Sequence, residues 1–377
     1  MEYRELGKTG KQVSIIGLGC EFLDKKPYER VKEAIDTALD GDINILDVFM
    51  PGTEVRENIA KALGNRRKQV MIQGHCGATD INKQYDISRD MPTVKKYFEE
   101  LLKLFGYIDF GMLFFVDSEQ DYKDVFETEF ASYLERLKKQ GDIHHIGFSS
   151  HNPVTALKAI QTGLPEIMMF SVNPAFDMLP HSEYVFDHTD FGPELFRGID
   201  PKRAELYKLC TQKQIGITVM KALGGGRLLS KEHSPYSKPM TVSQCIHYAL
   251  SRPAVASVLL GGQTIAEVQE SLHYLTASDE DKDYAEILSS VQSDFTGHCV
   301  YCNHCQPCPA EIDIATVTKY LDIAKLDTEN IAPSIRSHYK SLAKGGNACT
   351  ACGHCESRCP FGVPIIKNME EANTLLS

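Results

Sequence analysis

The sequence predicts an α/β chain, a closed (β/α)8 TIM barrel followed by a small, helical, cysteine-rich module, and three observations predict it. Eight short apolar runs alternate with segments of helical spacing between residues 13 and 262. The turn after the first run lacks the Gly-x-Gly-x-x-Gly fingerprint of an open, doubly wound nucleotide-binding sheet, the competing arrangement. Eight of the twelve cysteines fall in two short C-terminal runs. A chain of 377 residues exceeds what one core usually organises, whereas such a barrel takes about 250 residues alone. At 42% hydrophobic and 24% charged, the composition supplies enough apolar material for a large core.

In chain order the strand candidates are VSIIGLG (13–19), INILDVF (43–49), QVMIQGH (69–75) and IDFGMLFFVD (108–117). IHHIGFSSH (143–151), EIMMFSVN (166–173), GITVMKAL (216–223) and VASVLLGG (255–262) complete the eight. Between them ERVKEAIDTAL, EVRENIAKAL, VKKYFEELLKLF and FETEFASYLERLKKQ place apolar residues three and four apart with charges between, the pattern of helices with one buried face. The segment from Met178 to Asp200, rich in His, Asp, Phe and Pro, is too irregular for either and reads as an insertion after the sixth strand, over the functional rim. TASDEDKDYAEILSSVQSD then forms a charged surface helix or linker, which places the barrel domain at 1–285 and the cysteine-rich domain at 286–377.

A net charge of -11 with no Lys/Arg-rich run repels a phosphate backbone, so nucleic acid is not an expected partner. The polar start MEYRELGKTGKQ and the lack of a bilayer-length apolar stretch predict a soluble cytoplasmic protein without a membrane partner. In that compartment clustered cysteines point to metal ligation rather than disulfides. Cys20, Cys76, Cys210 and Cys245 stand singly among apolar residues and are expected to behave as small hydrophobes.

The first cysteine run is Cys299-x2-Cys302-x2-Cys305-x2-Cys308-Pro309, and the second is Cys349-x2-Cys352-x2-Cys355-x3-Cys359-Pro360. The second has the spacing of bacterial dicluster ferredoxins, in which the fourth cysteine reaches the other cluster. Two 4Fe-4S clusters follow, one on Cys299, Cys302, Cys305 and Cys359, the other on Cys349, Cys352, Cys355 and Cys308. Three thiolates two residues apart wrap a loop around three corners of a cube, and the proline then turns the chain away. Two structural zinc sites are the alternative, but zinc needs only two Cys-x2-Cys pairs and gives the Cys-Pro ending no purpose. Between the runs IDIATVTKYLDIAKL replaces the hairpin of small ferredoxins with a helix.

Barrel active sites are built from the C-terminal strand ends, here Cys20, Asp47, His75, Phe114, Phe115, Asp117, Ser149, Ser150, His151, Asn173, Lys221, Gly261, Gly262 and Gln263. Asp47 and His75 come from adjacent strands and make a carboxylate–imidazole pair suited to proton transfer. The plainer reading is a histidine that caps a strand with a satisfied ring.

The opening YRELGKTGKQVSIIGLG, the NILDVF run, HHIGFSSHN and GITVMKALGGGRLL together resemble aldo-keto reductases, and more narrowly the branch with a C-terminal dicluster ferredoxin domain. The resemblance implies a catalytic Asp, Tyr, Lys and His, and a nicotinamide cofactor that delivers hydride to a carbonyl. Asp47 falls at the family's Asp, but FMPGTE replaces the Tyr-Gly segment, His75 stands at the Lys, and LFFVD puts Phe114 at the His. The ordinary proton donor is therefore missing, and His75 or Tyr85 is the expected substitute. For the nucleotide, Ser149, Gly261, Thr264 and Glu270 match the family, while Gln263 takes a usually basic position and Ser271 a usual Asn. NAD(P)(H) is thus compatible with the resemblance, its 2'-phosphate form less so.

The expected function is an oxidoreductase that couples one-electron transfer through the clusters to redox chemistry of a small-molecule substrate at the barrel mouth. Its expected partner is an external one-electron carrier such as a ferredoxin or flavodoxin. One alternative is a non-catalytic redox sensor or electron carrier with a degenerate barrel. The other is an NAD(P)H-dependent carbonyl reductase in which His75 replaces the usual acid.

Overall fold

Eight parallel strands hydrogen-bond edge to edge until the sheet closes on itself. This computed structural model describes residues 1–80, 86–179, 200–236, 238–284, 287, 297, 299, 305, 307–325, 328–329, 331, 333–359 and 362–377. The chain opens with an antiparallel hairpin, β1 (Tyr3–Glu5) and β2 (Gln12–Ser14), followed by β3 (Ile16–Gly19), β4 (Ile45–Val48) and β5 (Met71–Cys76). A short antiparallel pair, β6 (Ala78–Thr79) and β7 (Asp86–Ile87), decorates the segment after β5. The remaining strands are β8 (Ile108–Leu113), β9 (Ile143–Ser150), β10 (Ile167–Ser171), β11 (Gly216–Met220) and β12 (Val255–Gly261). The closed order is β10-β11-β12-β3-β4-β5-β8-β9, so the eight sequence-predicted strands are the eight staves and the expected barrel is found.

Helices join the staves: α1 (Tyr28–Asp40), α2 (Thr53–Leu63), α3 (Met91–Phe105), α4 (Glu119–Phe126), α5 (Glu129–Gln140) and α6 (Pro153–Gln161). After β10 come α7 (Pro174–Met178) and α8 (Pro201–Lys213), then α9 (Val242–Leu250) and α10 (Ile265–His273). Asp90, Ser118, Thr128, Asn152, Asn173, Asp200, Thr241 and Thr264 each accept a backbone N–H at a helix start, so the polar residue ahead of each apolar stripe sets its entry.

Strand alternation sorts the core into two layers. Leu46, Val48, Ile72, Met168, Phe170, Ile217 and Val219 pack outward among the helices, whereas Ile45, Phe110, Met112, Ile167 and Met169 fill the lumen. Leu6 and Val13 join the lumen cluster, so the hairpin plugs the barrel's N-terminal end. This plug was not read from the sequence. Its turn runs so close to β11 that a Cβ on Gly7, at φ +56°, would lie 2.3 Å from the Gly216 nitrogen, which only glycine tolerates.

The described residues fall into two compact units, the barrel and a C-terminal unit. In the latter, helix Ile314–Lys325 lies where the sequence predicts one and packs on Ile365–Leu376 through Val317, Leu321, Met369 and Ala372. Among the described residues no helix is long and apolar enough to cross a membrane. Most of the expected 178–200 insertion, 180–199, lies outside the described residues, as do 285, 286 and 288–294 of the expected boundary segment.

Candidate functional site

Asp47 and His75 meet at the C-terminal end of the barrel because β4 and β5 are neighbours, and their inward side chains lie one step apart along the lumen. His75 Nε2 is 2.7 Å from Asp47 Oδ1, and both residues are 2% exposed. Two rings hold the imidazole edge-on, Phe49 at 6.0 Å and Phe114 at 5.4 Å between centroids. Among the described residues His75 Nδ1 is buried with no hydrogen-bond partner. Such a nitrogen in a dry aromatic cup is an open place for one polar group of a ligand.

A second carboxylate–imidazole pair stands at the ends of β8 and β9, where the sequence placed both residues on the rim without pairing them. His151 Nδ1 is 2.8 Å from Asp117 Oδ2, and the His151 backbone N–H donates to Oδ1 at 2.6 Å. Asp117 also accepts from Ser150 Oγ, and its carbonyl accepts from Asn152 and Thr155, so this carboxylate clasps the start of α6. The rings run on from His75 through Phe114 and Phe115 to His151. Phe115 sits in left-handed backbone at φ +56°, its N–H donated to Ser149 Oγ and its carbonyl held by Arg89.

Of the residues expected to hold a nucleotide, Ser149 Oγ accepts that Phe115 N–H, Thr264 caps α10, and the Gln263 N–H donates to Glu267 Oε2 at 2.6 Å. Glu270 is exposed on α10. Gly261 ends β12 beneath the Phe22 ring, which a Cβ there would meet at 2.3 Å. Internal hydrogen bonds thus occupy three of these five residues. Nearby, Gly224, Gly225 and Gly226 follow β11 with successive positive φ; a Cβ on either of the last two would meet nothing within 4 Å.

Residues 16–244, more than half of the sequence, match the model of the aldo/keto reductase family. The chain belongs to that family. It is an oxidoreductase accordingly. Over 299 residues it is 26% identical to YqkF of Bacillus subtilis, an uncharacterized oxidoreductase, spanning 74% of this chain and 92% of YqkF. Its fold is similar to that of the aldo-keto reductase AKR11C1 from Bacillus halodurans, with TM-score 0.57 and 20% identity over 78% of this chain and 97% of that one. PA4992 from Pseudomonas aeruginosa is similar at TM-score 0.55 and 18% identity, covering 72% of this chain and 96% of PA4992.

Within this aldo/keto reductase barrel, His75 stands beside Asp47 with Phe114 packed against it, so an imidazole occupies the carboxylate's side of the mouth. Tyr85, the other expected proton donor, lies outside the described residues. Two groups that sequence reasoning passed over also reach the pair. Gln73 Nε2 donates to Asp47 Oδ1 at 2.8 Å, and Thr218 Oγ1 donates to Gln73 Oε1 at 3.0 Å. Gln73 could have been found from its place two residues before His75, which puts both on the lumen face; Thr218 carried no such signal.

In the C-terminal unit Cys308, Cys349, Cys352 and Cys355 line one cavity together with Ile312, Ile314, Ile365 and Met369. Cys349 and Cys352 come from one loop, Cys355 from the short helix His354–Arg358 that follows it, and Cys308 from the other run. The loop wraps through left-handed backbone at Ala351 and Gly353, and the Ala351 N–H donates to Cys349 Sγ at 3.5 Å. Among the described residues no three ligating side chains converge on a single-ion position. Four thiols spread around a cavity walled by aliphatic side chains, with a backbone N–H aimed at sulfur, have the donor chemistry of an iron–sulfur cluster. Cys299, Cys305 and Cys359 are described and pack with the same apolar core, while Cys302 lies outside the described residues.

Proposed function

We propose that this aldo/keto reductase is an iron–sulfur oxidoreductase of the dicluster branch, acting on a small molecule at its barrel mouth and exchanging single electrons with an external carrier such as a ferredoxin or flavodoxin. The observation that carries the reading is the convergence of Cys308 with Cys349, Cys352 and Cys355 around one cavity, across 40 intervening residues of sequence. In the proposed ligand sets Cys308 completes the site of the second run, and Cys359 joins Cys299, Cys302 and Cys305. When bound, two 4Fe-4S clusters supply one-electron transfer.

At the mouth, His75 is the proton-carrying group. Asp47 orients its ring and stabilises the imidazolium, while Phe49 and Phe114 keep water from the pair, which strengthens both effects. The experiment is an oxygen-free preparation assayed for iron, acid-labile sulfide and broad brown absorbance, then reduced with dithionite and mixed with candidate substrates. A colourless, sulfide-free protein would sink the cluster assignment. In the same assay His75→Ala is expected to lower turnover by about a hundredfold or more; unchanged turnover would remove His75 from the mechanism.

Family membership favours a second reading, ordinary NAD(P)H-dependent carbonyl reduction with His75 in place of the usual acid. Titration with NADH or NADPH separates the two. Nucleotide that is consumed with simple aldehydes after the clusters are stripped supports the second reading.

A further inference from the structure

The lumen behind His75 carries a polar chain, running from Thr218 on β11 through Gln73 on β5 to Asp47 on β4 and back to His75. Gln73 and Thr218 are fully buried, and Gln73 Nε2 also touches Met169 Sδ at 3.2 Å. We infer that Gln73 is a positioning residue which, anchored by Thr218, fixes His75 as the Nε2–H tautomer and leaves Nδ1 bare, so that the site takes a hydroxyl-bearing substrate rather than a carbonyl. The inference rests on the proposed role of His75 at the mouth.

Thr218 Oγ1 donates to Gln73 Oε1, which turns the amide nitrogen toward Asp47. The flipped amide would set its oxygen against a carboxylate oxygen, two acceptors face to face. Asp47 Oδ1 therefore already accepts one fixed N–H, from Gln73, beside its contact with His75. The other titratable group against Asp47 is the thiol of Cys20, at the end of β3; burial first and the Asp47 charge second push it up, so it stays neutral. Phe49 and Phe114, the rings packed on His75, carry no charge.

An anionic, accept-only oxygen 2.7 Å from Nε2 requires a proton on Nε2. The second proton of an imidazolium would sit on Nδ1, which has no partner among the described residues. A buried N–H without an acceptor costs more than a bare lone pair, so Nδ1 is the nitrogen left without a proton. Bare Nδ1 accepts but does not donate. A substrate hydroxyl can donate a hydrogen bond to it, whereas a carbonyl oxygen, which only accepts, finds a donor there only once Nδ1 carries a proton.

The test reads the ring directly in the full-length protein labelled with 15N in its histidine rings, His75 being assigned by the signals lost in His75→Gln. At neutral pH the expected pattern is a protonated Nε2 and an unprotonated Nδ1. Loss of a hydrogen bond to a charged group shifts such an equilibrium by about tenfold, so Gln73→Leu is expected to bring the Nδ1–H form into view. Thr218→Val should move the pattern the same way, and Thr218→Ser, which keeps the hydroxyl, should restore it.

A protonated Nδ1 with a bare Nε2 in the wild type overturns the inference, even where a variant fails to fold. A folded Gln73→Leu protein with an unchanged ring spectrum overturns it also. Because the spectrum does not depend on turnover, the two claims fail separately. The expected tautomer with full activity in His75→Ala leaves the tautomer assignment standing and removes the catalytic reading together with the substrate preference, whereas the opposite tautomer with activity lost in His75→Ala removes the inference and leaves the catalytic reading.

Discussion

Burial decides which cysteines can act. It pushes the thiols of Cys210 and Cys245 up to about 12 and raises those of Cys20 and Cys76 as well, so all four remain protonated fillers of the barrel core. A carboxylate at the other end of the barrel shows the opposite balance. Partial burial pushes Glu166 up, but hydrogen bonds from His145, Lys138 and the Ile146 N–H outweigh it and hold the group at about 2. A folded pKa below the unfolded value of about 4.3 means that the native state favours the anion. The stabilisation is fully present above the unfolded value and is lost as pH falls from there toward about 2. Glu166→Gln should therefore flatten this part of the acid limb of a stability curve. Urea midpoints measured at intervals from neutral pH downward check it, and an acid limb parallel to the wild type's would refute it.

Between elements, Asp177 on α7 is a polar tie that accepts from Arg203 of α8 at 3.1 Å, from Tyr207 at 2.6 Å and from Tyr248 of α9 at 2.9 Å. Arg203 also donates to the Ser171 and His151 carbonyls, so the network ties three helices to the ends of β9 and β10. Asp177 and Arg203 are both fully buried. Removing one partner strands the other's charge, so Asp177→Ala should cost about 3–5 kcal/mol in equilibrium unfolding, and adding Arg203→Met should recover part of that loss. Equal losses in the single and double variants would show that the helices do not depend on the ion pair. Element identity was legible where it rested on long apolar runs: all eight staves are buried on both faces, which leaves a strong imprint in sequence. The β1–β2 plug was not, because three-residue strands carry almost no period. Asp47 and His75 were legible because strand order alone makes them neighbours. The Gln73–Thr218 bond joins residues 145 apart, and a lone amide or hydroxyl inside an apolar run looks like any tolerated polar residue.

At the scale of the whole molecule, the proposal requires the two cysteine runs to be cross-linked through metal rather than to close on themselves. The cavity lined by Cys308, Cys349, Cys352 and Cys355 takes its fourth thiol from the first run, although Cys359 completes the second run only four residues beyond Cys355. If ligands are exchanged in this way, one cysteine from each run can belong to the same cluster, and substitutions within a set should not add. Cys308→Ala, prepared without oxygen, is expected to retain about half of the iron and acid-labile sulfide of the wild type. Combining it with Cys349→Ala should lower the content little further, because both changes strike one cluster. Combining it with Cys299→Ala should remove nearly all of it, although those two cysteines share a run. The opposite pairing, with Cys308 and Cys349 together emptying the protein and Cys308 and Cys299 together sparing half, would show that each run holds its own cluster and would end the exchange model.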